Sequence, residues 1–303
     1  MPLIEAIPNV SEGRSQEVVD RLTAAITATP GVALLDRTKD PSHHRSVFTL
    51  AGEPEAIEQA AIALAHATVG TVDLRSHAGV HPRVGALDVL PFVPLGGTPM
   101  QTCVELARRV GRRIAHELSI PVYLYERAAL TPRTLEEIRR GGLDGLESRI
   151  GQPGWHPDYG PARLHPTAGA VCVAARGPLI AWNLNLDTED VTIARQIARA
   201  IRASSGGLPA VKALGLPLTH RRMAQVSMNL TDYRVTPMAV VYEAVRSKAA
   251  ARGVGIAESE IIGLVPKAAY EELARAVPWL GVAHAHQVLE DRMREHGLPD
   301  ASP

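Results

Sequence analysis

LIAWNLNLD (residues 179–187), TEDVTIARQIARAIRAS (188–204), AVKALG (210–215), MAQVSMNLTD (223–232), PMAVVYEAVRSKAAAR (237–252) and EIIGLV (260–265) follow one another with only short breaks. Their apolar spacing switches between a period of two and a period near 3.6. That spacing predicts strand, helix, strand, strand, helix, strand. Asp187 is placed to cap the first helix and Gly206-Gly207 to stop it, while Thr236-Pro237 opens the second and Gly253 ends it. The resulting β-α-β-β-α-β order is the split βαβ arrangement.

The first half repeats this order. Strand-like runs at 4–8, 32–35, 46–51, 86–94 and 122–125 alternate with helices expected at 15–28, 54–69 and 99–118. Ser15 caps the first of these. Gly70 is expected to stop the second, and Thr98-Pro99-Met-Gln101 reads as a capping box for the third, whose buried face is Cys103, Leu106, Val110, Ile114 and Leu118. The fold class is therefore α/β (α+β): two ferredoxin-like subdomains, residues 1–177 and 178–303, with sheets facing a cleft or tunnel. The joint is expected in the Gly- and Pro-rich segment 151–169, and a helical tail over 267–295.

Composition removes several functions. The 303 residues carry 32 basic and 32 acidic side chains, so the zero net charge excludes the basic footprint of nucleic-acid binding. No apolar run is long enough for a bilayer span, and the N-terminus lacks a secretory signal, so no membrane partner is expected. Two cysteines cannot form a disulfide framework, which points to a cytoplasmic protein.

Polar side chains gather in five places. The run from Asp73 to Asp88 holds Arg75, His77, His81 and Arg83 among helix-breaking glycines and a proline, as a loop between helix and strand. His77 and His81 are spaced i, i+4, compatible with a zinc pair, but no Glu lies between them and a third ligand would have to come from His43 or His44. Asp36, Asp40, His44 and Arg45 lie in a second turn, suited either to a charged hairpin or to a carboxylate ligand. Asn9–Arg14 could cap a helix or receive an anion. In the segment from Trp155 to Gly169, Trp155 and Tyr159 could stack on a planar ring. Gln225, Ser227, Asn229 and Thr231 share one face of a strand.

PNVSEGR (8–14), DPSHHRSVFTLAG (40–52), HAGVHPRVGALDVLPFVPL (77–95), IPVYLYE (120–126), GWHPDYGPARLHPTAGA (154–170) and AQVSMNLTDY (224–233) together resemble the glutamate formimidoyltransferase family, the transferase half of formimidoyltransferase-cyclodeaminase. The resemblance runs over about residues 3–266. It implies two α/β subdomains with a tunnel between their sheets, and transfer of a formimidoyl group from N-formimidoyl-L-glutamate to tetrahydrofolate in histidine degradation. Tetrahydrofolate is then a co-substrate, and no metal is expected. The resemblance assigns the family's catalytic histidine to His81 as general acid. It assigns the folate loop to Gly160, Pro161, Ala162, Arg163, Leu164, His165, Pro166, Thr167, Ala168 and Gly169. The charges then become substrate-binding candidates: Asp36, Asp40, His44, Arg45, His77, Arg83, Asp88, Gln225 and Asn229, with Arg163 also a possible anion partner. Val80 stands where cyclodeaminase-fused relatives carry Glu. The family also implies a homodimer, and a chain ending at Pro303 is expected to be the transferase alone. The alternatives are formyl transfer or action on 5-formyltetrahydrofolate on the same scaffold, a non-catalytic folate-binding protein, and a zinc hydrolase.

Overall fold

A computed structural model describes residues 2–303 and divides them into two compact units, the first running to Arg176 and the second spanning Gly177–Ser302. In the first unit, β1 (Leu3–Ala6) and β2 (Asn9–Val10) are two pieces of one strand interrupted at Ile7-Pro8. Both pieces pair antiparallel with the same two neighbours, β4 (Arg45–Gly52) and β5 (Leu87–Leu95). β3 (Val32–Asp40) pairs antiparallel with β4. The spatial order β5, β1/β2, β4, β3 is thus the split βαβ sheet, with α1 (Gln16–Thr27) and α2 (Pro54–Thr71) as its helices.

Two parallel strands extend this sheet beyond β5. β7 (Val171–Ala175) lies beside β5, and β6 (Val122–Glu126) lies beside β7. α3 (Met100–Leu118) connects β5 to β6, and most of its predicted face is buried: Cys103, Leu106, Val110 and Ile114 are fully inaccessible, while Leu118 is half-buried. Each such leucine contributes roughly 1.5–3 kcal/mol relative to exposure. Alternation along the strands sends Ile4, Phe48, Leu50, Leu90, Phe92, Leu124 and Val173 under α1–α3. At the β7–β6 end the opposite face is covered by two short helices, α4 (Leu135–Ile138) and α5 (Gly142–Glu147), through Ile138, Leu146 and Ile150.

In the second unit β8 (Ile180–Leu186), β9 (Val211–Leu218), β10 (Met223–Leu230) and β11 (Ile256–Ile262) form an antiparallel sheet ordered β11, β8, β10, β9. The helices are α6 (Val191–Ile201) and α7 (Met238–Ala250), so the β-α-β-β-α-β order is present as read. Trp182, Leu184, Leu186, Val226 and Met228 face the helices. Helices α8 (Lys267–Ala276), α9 (Pro278–His284) and α10 (Leu289–Glu295) complete the unit.

Several local expectations need correction. Asp190, not Asp187, caps α6 by accepting from Thr192 N; Asp187 instead accepts from Gly255 N at 2.7 Å. Neither Thr-Pro pair caps with its threonine, because the prolines occupy the N-cap. Thr98 Oγ1 accepts from Leu3 N (2.8 Å), and Thr236 Oγ1 donates to Pro209 O (2.5 Å), each tying a helix start to a distant strand or loop. Gly70 does not stop α2, which runs on to Thr71. The segment 151–169 is not the joint. It lies wholly inside the first unit, where Val122 N donates to Tyr159 O at 2.9 Å and Ala170 N to Val84 O at 2.8 Å. Ser15 caps α1 as expected, accepting from Val18 N.

Candidate active site

The loop between α2 and β5 is anchored at both ends by one segment. Leu74 N donates to Thr167 O (2.9 Å), Ala86 N to Ala168 O (2.9 Å) and Ala170 N to Val84 O (2.8 Å), while Val80 N at the tip donates to Ser42 O (3.2 Å). Two glycines make these approaches feasible. A Cβ on Gly85 would sit 1.9 Å from Ala170 O, and one on Gly79 2.5 Å from His43 O. The three segments singled out in the sequence, around His81, Asp40–Arg45 and Gly160–Gly169, are therefore one assembly. His81, His77, Val80, Arg83, Gly142 and Asp144 line a cavity of about 400 Å³ within it, of a size that holds small ligands.

The histidine protonation states follow from their partners. His44 Nδ1 accepts from Gly13 N (3.1 Å), and His77 Nε2 donates to His44 O (3.0 Å) while its Nδ1 accepts from the Arg83 guanidinium. The two rings stack with centroids 4.0 Å apart. Both are neutral: burial lowers the His44 pKa and, with the Arg83 charge adding, brings His77 to about 4. Both ring nitrogens of His77 are thus engaged by protein groups. Among the described residues no group of three His, Cys, Asp or Glu is placed to hold a metal ion.

His81 Nδ1 lies 2.8 Å from Pro82 O. A carbonyl only accepts, so this contact assigns the hydrogen to Nδ1 and leaves the lone pair on Nε2. The ring keeps an accessible edge on the cavity, yet the surrounding protein, followed by the charges of Arg45 and Arg139, holds its pKa well below the ordinary 6.5. His81 is therefore neutral at neutral pH and must accept a proton before it can donate one.

Behind the loop, fully buried Asp88 accepts at Oδ1 from Val84 N (2.8 Å) and at Oδ2 from Arg45 (2.7 Å) and Arg139. Two guanidiniums on one carboxylate leave a net positive charge, and the Arg139 Nε is buried without a partner. The Asp88 carboxyl is held below the usual range by these charges, against the opposing effect of burial. Arg45 also donates from Nε to Asn9 Oδ1 at 2.9 Å.

Arg139, at the C-terminus of α4, was missed from sequence. Its signal was the capping box Thr134–Glu137, which the structure forms in full and which announces α4.

The remaining candidates divide. Arg83 donates to its own loop, to Gly79 O (2.8 Å) and His81 O (2.6 Å) as well as to His77, and so shapes the site. Asp40 caps its turn, accepting from Ser42 N (2.6 Å) and His43 N (2.8 Å). Asp36 sits on edge strand β3 opposite Thr49. Asn9–Arg14 serves capping, with Glu12 accepting from Arg14 N and Ser15 N. One face of Trp155 is covered by Arg149, at 4.3 Å, and one face of Tyr159 by Arg112, at 5.3 Å. His165 Nδ1 accepts from Ala168 N (3.1 Å), shaping the 160–169 loop, whose Arg163 is exposed. In the second unit, buried Gln225 donates to Asn185 Oδ1 (2.9 Å), Asn185 donates to Glu258 and Glu260, and Asn229 is exposed.

A neutral imidazole edge on a small-ligand cavity, backed by buried guanidiniums, is the candidate active site of this α/β unit. Residues 3–176 match the family model for the N-terminal subdomain of the formiminotransferase domain, and residues 181–279 match that for the formiminotransferase domain. The chain therefore belongs to the formiminotransferase family and is a transferase. A glutamate formimidoyltransferase of Thermoplasma acidophilum is 44% identical over 299 residues, covering 97% of this chain and 98% of its own. One from Streptococcus pyogenes serotype M1 is 43% identical over 274 residues, covering 90% and 92%. The formimidoyltransferase-cyclodeaminase of Rattus norvegicus is 42% identical over 273 residues, covering 87% of this chain but 50% of its own length.

Proposed function

We propose that this enzyme moves the formimidoyl group of N-formimidoyl-L-glutamate to N5 of tetrahydrofolate, giving 5-formimidoyltetrahydrofolate and L-glutamate. One observation carries the site assignment: a neutral His81 edge opens on the cavity in front of the Arg45–Asp88–Arg139 cluster. N5 attacks the amidine carbon, and the tetrahedral intermediate bears an excess proton on N5. The glutamate nitrogen leaves once it is protonated. The proton N5 sheds is the one His81 delivers, so no external acid is consumed. A positioned imidazole contributes roughly 10²- to 10⁴-fold here, and holding both substrates adds a proximity term. The net positive charge of the cluster suits a glutamate carboxylate of the donor, and the 160–169 loop is assigned to folate.

Glutamate release from N-formimidoyl-L-glutamate and tetrahydrofolate tests this directly. His81→Ala is expected to lose about 10²- to 10⁴-fold in kcat with tetrahydrofolate affinity retained. Full activity in that variant removes His81 from the reaction, and faster turnover of N-formyl-L-glutamate by the unmodified enzyme replaces formimidoyl by formyl transfer. A cytoplasmic homodimer belongs to the same proposal. For the compartment, the support is that Cys103 and Cys172 are both free and buried. Sedimentation of the purified protein as a monomer would remove the dimer.

A further inference from the structure

The turn joining β3 to β4 carries a second imidazole that the reading above leaves without a task. His43 is buried, and its Nδ1 lies 3.2 Å from Asp40 Oδ1. Its ring centroid is 6.0 Å from that of His81, with the planes tilted by 53°. The same Asp40 oxygen accepts from the backbone N–H groups of Ser42 and His43, so ring and turn are fixed by one carboxylate. Burial opposes ionisation of Asp40, but these hydrogen bonds outweigh it and keep the carboxylate charged. Facing a carboxylate, Nδ1 must carry the hydrogen, so in the neutral ring it is Nε2 that holds the lone pair. His81 has the same tautomer.

We propose that His43, positioned by Asp40, is the second proton-handling residue of the transfer, taking the proton from N5 of tetrahydrofolate and passing it to His81. The proposal rests on the transferase reading above. The two rings have opposite surroundings. His81 stands near Arg45 and Arg139, where an imidazolium is costly, whereas His43 has Asp40 against its Nδ1 and no guanidinium bonded to its ring. Arg83 reaches only its backbone oxygen, at 3.4 Å. When the N5–C bond has formed, the ammonium proton goes to His43 Nε2, and Asp40 offsets the charge the ring acquires. It then crosses to His81 Nε2, directly or through one water, and on to the glutamate nitrogen as the C–N bond breaks. One proton enters the pair and one leaves, and both rings end as they began.

The experiment compares His43→Asn, His43→Ala and Asp40→Asn with the unmodified enzyme in steady state. Asn at 43 can keep the hydrogen bond to Asp40 while removing Nε2, which guards against unfolding; retained tetrahydrofolate binding confirms a formed site. The expected result is a fall in kcat of about 10²-fold for His43→Asn with both KM values within about threefold. His43→Ala should recover at least part of its rate with added imidazole, and Asp40→Asn should show a smaller loss. His43→Asn turning over within about threefold of the unmodified enzyme overturns the proposal, as does a loss in His43→Ala that imidazole does not relieve. Failure of the unmodified enzyme to use these substrates overturns the transferase reading instead.

Discussion

Asp88→Asn would change one oxygen to an NH₂ group at the centre of the site. The amide oxygen can still accept from Val84 N, but the NH₂ is turned on Arg45 and Arg139, which lose their shared acceptor. Two charge-assisted bonds at about 1.5–3 kcal/mol each, or a broken buried ion pair at about 3–5, give a destabilisation of about 3–5 kcal/mol. For a unit of this size each kcal/mol lowers Tm by about 2–4 °C, so calorimetry at pH 7 should show a drop of roughly 6–20 °C. The sign with pH also follows. Because the folded Asp88 carboxyl is held below its unfolded value of about 3.9, its stabilisation is complete at pH 7 and is lost only as pH falls below that value. The double variant Asp88→Asn/Arg139→Leu removes the surplus charge and should recover part of the lost Tm. An Asp88→Asn protein melting within 2 °C of the unmodified one, on the scale of about 2–4 °C per kcal/mol, would refute the reasoning, as would a double variant no more stable than the single.

Three further outcomes are expected. Arg139→Met should raise KM for the donor by roughly 10- to 100-fold, the equivalent of one charged hydrogen bond, with kcat changing less; unchanged donor KM in initial-rate assays would separate Arg139 from the substrate. Gly85→Ala should destabilise the first unit by about 1–3 kcal/mol or more through collision with Ala170 O, read as a lower urea midpoint, and an unchanged midpoint would show that the approach can relax. His77, brought to about 4 when folded from about 6.5 unfolded, contributes stability fully above pH 6.5 and loses it as pH falls from 6.5 towards 4; His77→Gln should flatten the stability curve in that window.

The second unit was readable because each of its strands states its faces by alternation, as at Trp182, Asn183, Leu184 and Asn185. The first unit was readable only in part. β7 is a short buried run, VCVAA, with no alternation to mark it, and its insertion between β5 and β6 is a tertiary choice that no local period encodes. Helix starts were misplaced where threonines that look like caps are drawn away to distant backbone, as with Thr98 and Leu3. In the site, sequence located the loops that meet but not the division of labour within them. Arg83 reads in sequence as an anion partner, and the fold adds a pinning role, because three acceptors of its own loop lie within reach. The pairing of His43 with His81 depends on 37 residues of intervening chain folding back, which spacing alone does not reveal.

The placement of β7 has a consequence for how the protein is made. A ribosome that has released the first 126 residues has supplied every other strand of the first sheet, yet β5 and β6 cannot be bridged until 171–175 emerges. Until then the edge of β5 is exposed, and the 73–86 loop lacks the 167–170 segment that anchors it. Such long-range parallel pairing is slow to close and leaves sticky edges during synthesis. The histidine loop is therefore expected to be among the last parts of its unit to order, and nascent chains arrested short of residue 171 to hold their core helices before they hold an active site.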